Sequence, residues 1–206
     1  MTRDGTHLSG SQSLEAVVNI FRANFRDINL LLHQFTDSDY VFQVRETGRF
    51  VDDDIPFETR LAQYLFNYLS ALSSLVDHTR NIVRQSPLPA ETRAEYDRRV
   101  QEAFRDSSRA AFLKDLRNYM LHYRLPASVA SWEEAHGDSR DVSDGEVILE
   151  LDAMKDWERW SKESRVFMDG AGPRARLLPL VSQYADAVFA LYRWLIPELA
   201  VSEARD

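Results

Sequence analysis

Apolar residues recur at intervals of three and four from Leu14 to about Phe35, through Val17, Val18, Phe21, Phe25, Ile28 and Leu32. That period places them on one face of a helix, so a first amphipathic helix is predicted there. Residues 1–13, MTRDGTHLSGSQS, are polar and show no period, and they read as a disordered lead. The pattern is weak over 37–54. Its YVFQV has strand-like composition with no obvious partner nearby, and the stretch reads as irregular or as a short helix. Asp54 before Ile55-Pro56, followed by Glu58, supplies a side-chain cap, a first-turn proline and a first-turn acid for a second long helix, running to about Gln85. The middle of that helix, LAQYLFNYLSALSSLV, is apolar on nearly every side, as expected of a central helix packed by several neighbours.

SPLP at 86–89 breaks the chain, and AETRAEYDRRVQEAFRDS resumes as a charge-rich surface helix. Ser107 or Ser108 caps the next helix, which runs to about Tyr123 before Pro126 stops it. Two β-type runs, VASWEE and EVILEL, flank the turn-rich AHGDSRDVSDG and predict a hairpin at about 129–151. Two strands alone are marginal, so this hairpin should lean on the helices. Residues 152–168 read as a helix with Met154, Trp157 and Trp160 near one face, ended by DGAGP. The last helix, about Arg174 to Ala200, carries Leu177, Val181, Tyr184, Val188, Leu191 and Leu195 at helical spacing, with Pro179 in its early turns. The expected architecture is all-α: one domain over 14–206, an antiparallel helical bundle with a small β-hairpin insertion.

Composition narrows the setting. With 206 residues the chain is long enough for one sizeable core, and with no cysteine it has neither a disulfide framework nor a thiolate metal site. No run of about 18 apolar residues occurs, and the polar N-terminus lacks the apolar stretch of a signal peptide. The expectation is a cytoplasmic protein that does not enter a membrane. A net charge of −8 argues against loose binding of nucleic acid but leaves room for a local basic site.

Candidate chemistry concentrates in DLRNYMLHYRLP at 115–126. Turning about 100° per residue puts Phe112, Leu113, Leu116, Tyr119, Met120 and Tyr123 on a core arc. Lys114, Asp115, Arg117, Asn118, Leu121 and His122 fall on the opposite one, so His122 is not a core histidine. A mixed-charge face is ordinarily just the solvated one. Asn118 and His122, one turn apart, are placed to share a hydrogen bond that would orient the imidazole. Arg117 and His122 are five apart and diverge by roughly 140°, so a single helix does not converge them. A twofold dimer laying two such helices side by side would, with Leu121, Leu125 and Ala111 as contact residues. Asp77, His78, Arg80 and Asn81 form a second cluster toward the end of the central helix. Cations there suit the helix dipole, and Arg80 and Arg84, if near Arg117, would supply a basic pocket. Trp157, Trp160 and Trp194 read as core rather than base-stacking residues. His33 and His136 lack partners at metal spacing, and no metal or cofactor is expected.

The motif R-N-x-x-x-H, from Arg117 and Asn118 to His122, lies near the end of a late helix in an all-α domain. It resembles the HEPN superfamily (higher eukaryotes and prokaryotes nucleotide-binding), whose hallmark is an arginine, often followed by a polar residue, and then a histidine. The match covers about residues 108–126. The resemblance implies a HEPN-like bundle and a metal-independent endoribonuclease acting as a homodimer, as a toxin or an antiviral defence effector with an antitoxin or defence partner protein. It implies Arg117, Asn118 and His122 as catalytic residues, attack by the ribose 2′-hydroxyl, and therefore RNA as substrate. Lys114, Arg124, Arg80, His78 and Asp77 are the accompanying substrate-binding candidates. One branch of the family carries a modifiable tyrosine two positions after the histidine, where this chain has Arg124. The alternative is a non-catalytic module of the same fold that binds a nucleotide, RNA or a protein.

Overall fold

The computed structural model describes residues 8–35, 37–48, 55–131 and 145–205. The first helix, α1 (Gly10–Gln34), starts four residues ahead of its apolar period. Ser9 accepts at its hydroxyl from the Gln12 amide, and the Gln12 side chain accepts from the Ser9 amide, a reciprocal capping box. The amide and hydroxyl of Ser11 both donate to the Glu203 carboxylate, at 2.9 and 2.6 Å. Polar bonds of this kind leave no trace in hydrophobic period, and they order residues 9–13, where a disordered lead was expected; residues 1–7 lie outside the described residues. A Cβ at Gly10 would stand 2.6 Å from Glu203 Oε1, so any larger residue there would require the carboxylate to shift.

Partial burial pushes the Glu203 carboxyl up, but the hydrogen bonds from Ser11, Ser9 and Gly10 outweigh it and hold the group below its usual value. A carboxyl depressed in the folded state stabilises at pH above its unfolded value, about 4.3, and that contribution is lost as pH falls through the folded one. Amide protection factors at residues 9–14 are therefore expected to drop in wild type between pH 6 and pH 3. In Glu203→Gln they should be low at both.

Within the ambiguous stretch 37–54, residues Ser38–Thr47 form helix α2, and 49–54 lie outside the described residues. Asp37 caps it by accepting from the amides of Asp39 and Tyr40, and Gly48 ends it at φ 62°. Helix α3 (Phe57–Gln85) follows Pro56 with no side-chain cap, and the expected cap Asp54 lies outside the described residues. The other long helix, α7 (Leu177–Glu203), shares the central role: α1 packs on both α3 and α7, and α7 also touches α4 (Ala90–Val100), α5 (Ser108–His122) and the small sheet. The Tyr68 hydroxyl donates to the Val181 carbonyl, and the Thr79 and Tyr192 hydroxyls pair at 2.6 Å, tying α3 to α7.

Helix α4 (Ala90–Val100) packs on α7, and Arg93 donates to the carbonyls of Val83 and Ser86 at 2.7 and 2.9 Å, satisfying the end of α3. Where one continuous surface helix was expected, residues Gln101–Arg105 wind as a π turn, with the Asp106 amide bonded to the Gln101 carbonyl. Helix α5 (Ser108–His122) is capped by Ser107.

The predicted hairpin is present as β1 (Ser128–Ser131) and β2 (Glu146–Glu150), antiparallel with Val129 opposite Ile148; its Trp132–Asp144 portion, with His136, lies outside the described residues. A third strand, β3 (Arg174–Arg176), pairs with the other edge of β2 and takes residues assigned from sequence to the last helix. Arg174 pairs with Glu150 at 2.9 Å and Arg176 with Glu146, so opposite charges hold a strand too short and polar to announce itself.

Residues 152–168 are not one helix. A single 3-10 turn (Asp152–Met154) and an irregular stretch precede α6 (Lys162–Ala171), which Ser161 caps. The Trp160 indole N–H takes the Met154 carbonyl at 2.8 Å, and Trp160 stacks on Phe112 and Tyr119 while meeting Trp157 edge-on. Burial of both tryptophans against α5 outweighs helix continuity. Tyr119 is fully buried with no hydrogen-bond partner for its hydroxyl. An unpaired buried hydroxyl costs about 1–3 kcal/mol, so Tyr119→Phe, which keeps the ring, should leave stability to urea unchanged or raise it by up to about 1 kcal/mol. Among the described residues no helix is long and apolar enough to cross a membrane.

Candidate functional site

Helices α3, α4, α5 and α7, with the π turn, Ser161 and Glu163, line a cavity of about 890 Å³ that is open to solvent on one side. Five sequence-predicted residues line it: Asp77 and Arg80 from α3, and Lys114, Arg117 and Asn118 from α5. Arg84 lines it as well, so Arg80 and Arg84 share a cavity with Arg117, and Asp97 and Glu163 line it too. His122, His78 and Arg124 are exposed and do not line it.

The wall charges sort by what they already hold. Arg80 faces Asp77 at 3.7 Å, Arg105 faces Asp97 at 4.0 Å, Arg84 donates to the Asn81 side chain, and Arg93 is committed to the end of α3. Lys114 and Arg117 have no ion pair among the described residues, and the buried Arg117 Nε has no hydrogen-bond partner. Two cations one turn apart, with the Asn118 amide beside them, therefore give the α5 wall an anion-seeking character inside an acidic protein.

Two residues of the motif helix depart from the helical arithmetic. Asp115, expected on the exposed arc, is buried. It accepts from the Ser161 amide at 2.8 Å and the Ser164 hydroxyl at 2.7 Å, fixing the start of α6 against α5. Tyr123, expected in the core, is exposed because α5 ends at His122 and the backbone leaves helical geometry at Tyr123. Its hydroxyl donates to Asp156 at 3.0 Å, while Arg124 pairs with Asp156 and lies 4.5 Å from the Tyr123 ring. Arg124 is thereby a brace for the chain after α5, away from the cavity. No hydrogen bond joins Asn118 to His122 among the described residues. His122 stands at the exposed end of α5 beside exposed Leu121, Tyr123 and Leu125, whereas Ala111, expected as a contact residue with Leu121 and Leu125, is half-buried on the cavity wall.

Sequence reasoning missed Tyr96, Phe104, Arg105 and Tyr184 as cavity residues. Tyr184 carried a core period only, and the π turn that swings Phe104 and Arg105 into the wall has no period of its own. Among the described residues no group of three or more histidine, aspartate or glutamate side chains could hold a metal ion.

Comparison of the chain with protein-family models, with curated proteins and with solved structures finds no match.

Proposed function

We propose that the protein is a metal-independent endoribonuclease of HEPN type, whose site is completed by a second copy of the chain. One observation carries the reading. Arg117 and Asn118 stand together on the wall of a cation-rich cavity, with the Arg117 Nε unpartnered, and His122 is presented to solvent at the end of the same helix. The ribose 2′-oxygen attacks the adjacent phosphorus, the bond from phosphorus to the 5′-oxygen breaks, and a 2′,3′-cyclic phosphate and a 5′-hydroxyl result. An imidazole changes charge near neutral pH, which suits it to take the 2′ proton or to supply the one the leaving oxygen needs. Arg117 stabilises charge growing on the phosphoryl oxygens, and Lys114 draws the backbone in. Asn118, not bonded to the imidazole, is left to donate to a phosphate oxygen.

Within one chain the arginine and the histidine diverge, so a partner must supply the complement. The exposed Leu121 and Leu125 beside His122 are the apolar surface for that contact. The roles of toxin or defence effector, with an antitoxin or defence partner, belong to the same proposal.

The test incubates the purified protein with RNA and with an all-DNA equivalent in EDTA. Cleavage of RNA alone, ending in a cyclic phosphate, is the expected result. Inertness of wild type and His122→Ala alike, or cleavage that requires added metal, overturns it. Leu121→Glu/Leu125→Glu should shift the species seen by solution scattering from dimer to monomer and abolish cleavage together.

A further inference from the structure

Beyond the wall formed by Lys114, Arg117 and Asn118, the cavity carries a second set of groups. Tyr96 and Tyr184 are each about nine-tenths buried in its lining, at 9 and 8% exposure, and neither hydroxyl has a hydrogen-bond partner among the described residues. Tyr192 beside them is already satisfied by Thr79. Phe104, from the π turn, lies with its ring centroid 5.4 Å from that of Tyr184 and adds an aromatic surface. Burial pushes the Tyr184 phenol up; burial also pushes Tyr96 up, with Arg80 and Arg105 pulling it back, so both present neutral O–H groups near neutral pH. Apolar side chains such as Leu69, Leu72 and Val188 complete the lining. The lining is thus divided between aromatic and apolar side chains and charged ones, Asp97 and Glu163 among them, and its volume lies within the roughly 300–1,000 Å³ of small-ligand sites.

We infer that this cavity is a binding site for a small phosphate monoester with an aromatic body, its phosphate held by Lys114, Arg117 and Asn118 and its body enclosed by Phe104, Tyr96 and Tyr184. The head group follows from the wall: a guanidinium, an ammonium and a carboxamide all donate hydrogen bonds, and the two cations lack carboxylate partners. The body follows from the aromatic and apolar lining, and the two tyrosine hydroxyls fit a ligand with polar groups at its far end. His122, Leu121 and Leu125 take no part. The inference therefore stands whether or not the chain cleaves RNA.

Isothermal calorimetry of the full chain with 1-naphthyl phosphate tests it, beside inorganic phosphate and 1-naphthol as the two halves of the probe. The expected result is one site per chain, with 1-naphthyl phosphate bound at least about tenfold more tightly than either half. Lys114→Gln, at an exposed position, should weaken 1-naphthyl phosphate about five- to tenfold and leave 1-naphthol unchanged. Tyr184→Phe, which keeps the ring, should weaken 1-naphthol about threefold or more. His122→Ala should bind 1-naphthyl phosphate as wild type does. Binding of inorganic phosphate as tight as that of the naphthyl ester, undiminished affinity in Lys114→Gln and Tyr184→Phe, or no detectable binding of the ester would each overturn the assignment. Loss of RNA cleavage in His122→Ala with naphthyl phosphate binding intact separates this site from the nuclease reading, which fails or succeeds on cleavage alone.

Discussion

His122→Ala is expected to lower the rate of RNA cleavage by about 10²–10⁴-fold, the range removed when a positioned general acid or base is lost. The side chain is exposed and makes no hydrogen bond among the described residues, so its removal costs the fold almost nothing. Melting temperature and oligomeric state should match wild type, and a cleavage defect in a fully folded protein isolates the chemical role. Arg117→Lys sharpens the same test. It keeps a positive charge on the cavity wall but loses the planar fork that meets two phosphoryl oxygens at once, and a loss of about 10²-fold is expected in the rate at saturating RNA. A rise in KM alone for both variants would mean that the two residues attract RNA without acting on it.

Asp115→Ala carries the largest expected loss of stability, about 2–4 kcal/mol in urea denaturation. The carboxylate is buried and accepts two hydrogen bonds from the start of α6; bonds to a charged acceptor contribute about 1.5–3 kcal/mol each, and without it the Ser161 amide would be left unpaired and the Ser164 hydroxyl left with the Ser161 hydroxyl alone. Ser164 has no exposure at all, so solvent cannot replace the acceptor without opening the α5–α6 contact. The Ser161 hydroxyl still accepts from the Ser164 amide, so α6 should persist while its seating loosens. Asp115→Asn, keeping one carbonyl acceptor, should lose less. If Asp115→Ala denatures like wild type, the carboxylate is not what fixes α6.

The long helices were legible because a 3.6-residue period survives in Leu14–Phe35 and Leu177–Leu195, where one face meets the core over many turns. Where polar bonds decide, period is silent. The early start of α1 rests on Ser9, Ser11 and Glu203, the last more than 190 positions away in sequence. The β3 strand is three residues long and is held by Glu146 and Glu150, which pattern reading treats only as surface acids. The break before α6 comes from tryptophans that pack better off the helix, although Ser161 followed by Glu163 was a readable start signal. In the candidate site, helical rotation placed Arg117 and Asn118 away from the buried Phe112, Leu116 and Tyr119, as the structure does. It misplaced Asp115, because a face turned from one core can still be buried by a later helix. It misplaced Tyr123, because rotation holds only as far as the helix does.

The stack of Phe112, Tyr119, Trp160 and Trp157 also has an optical consequence. Two indoles 4.9 Å apart and nearly perpendicular, seated on rings belonging to α5, form a coupled chromophore whose near-ultraviolet circular dichroism depends on the register of that helix. The chain thus carries a built-in spectroscopic gauge of how the motif helix sits, readable without a label.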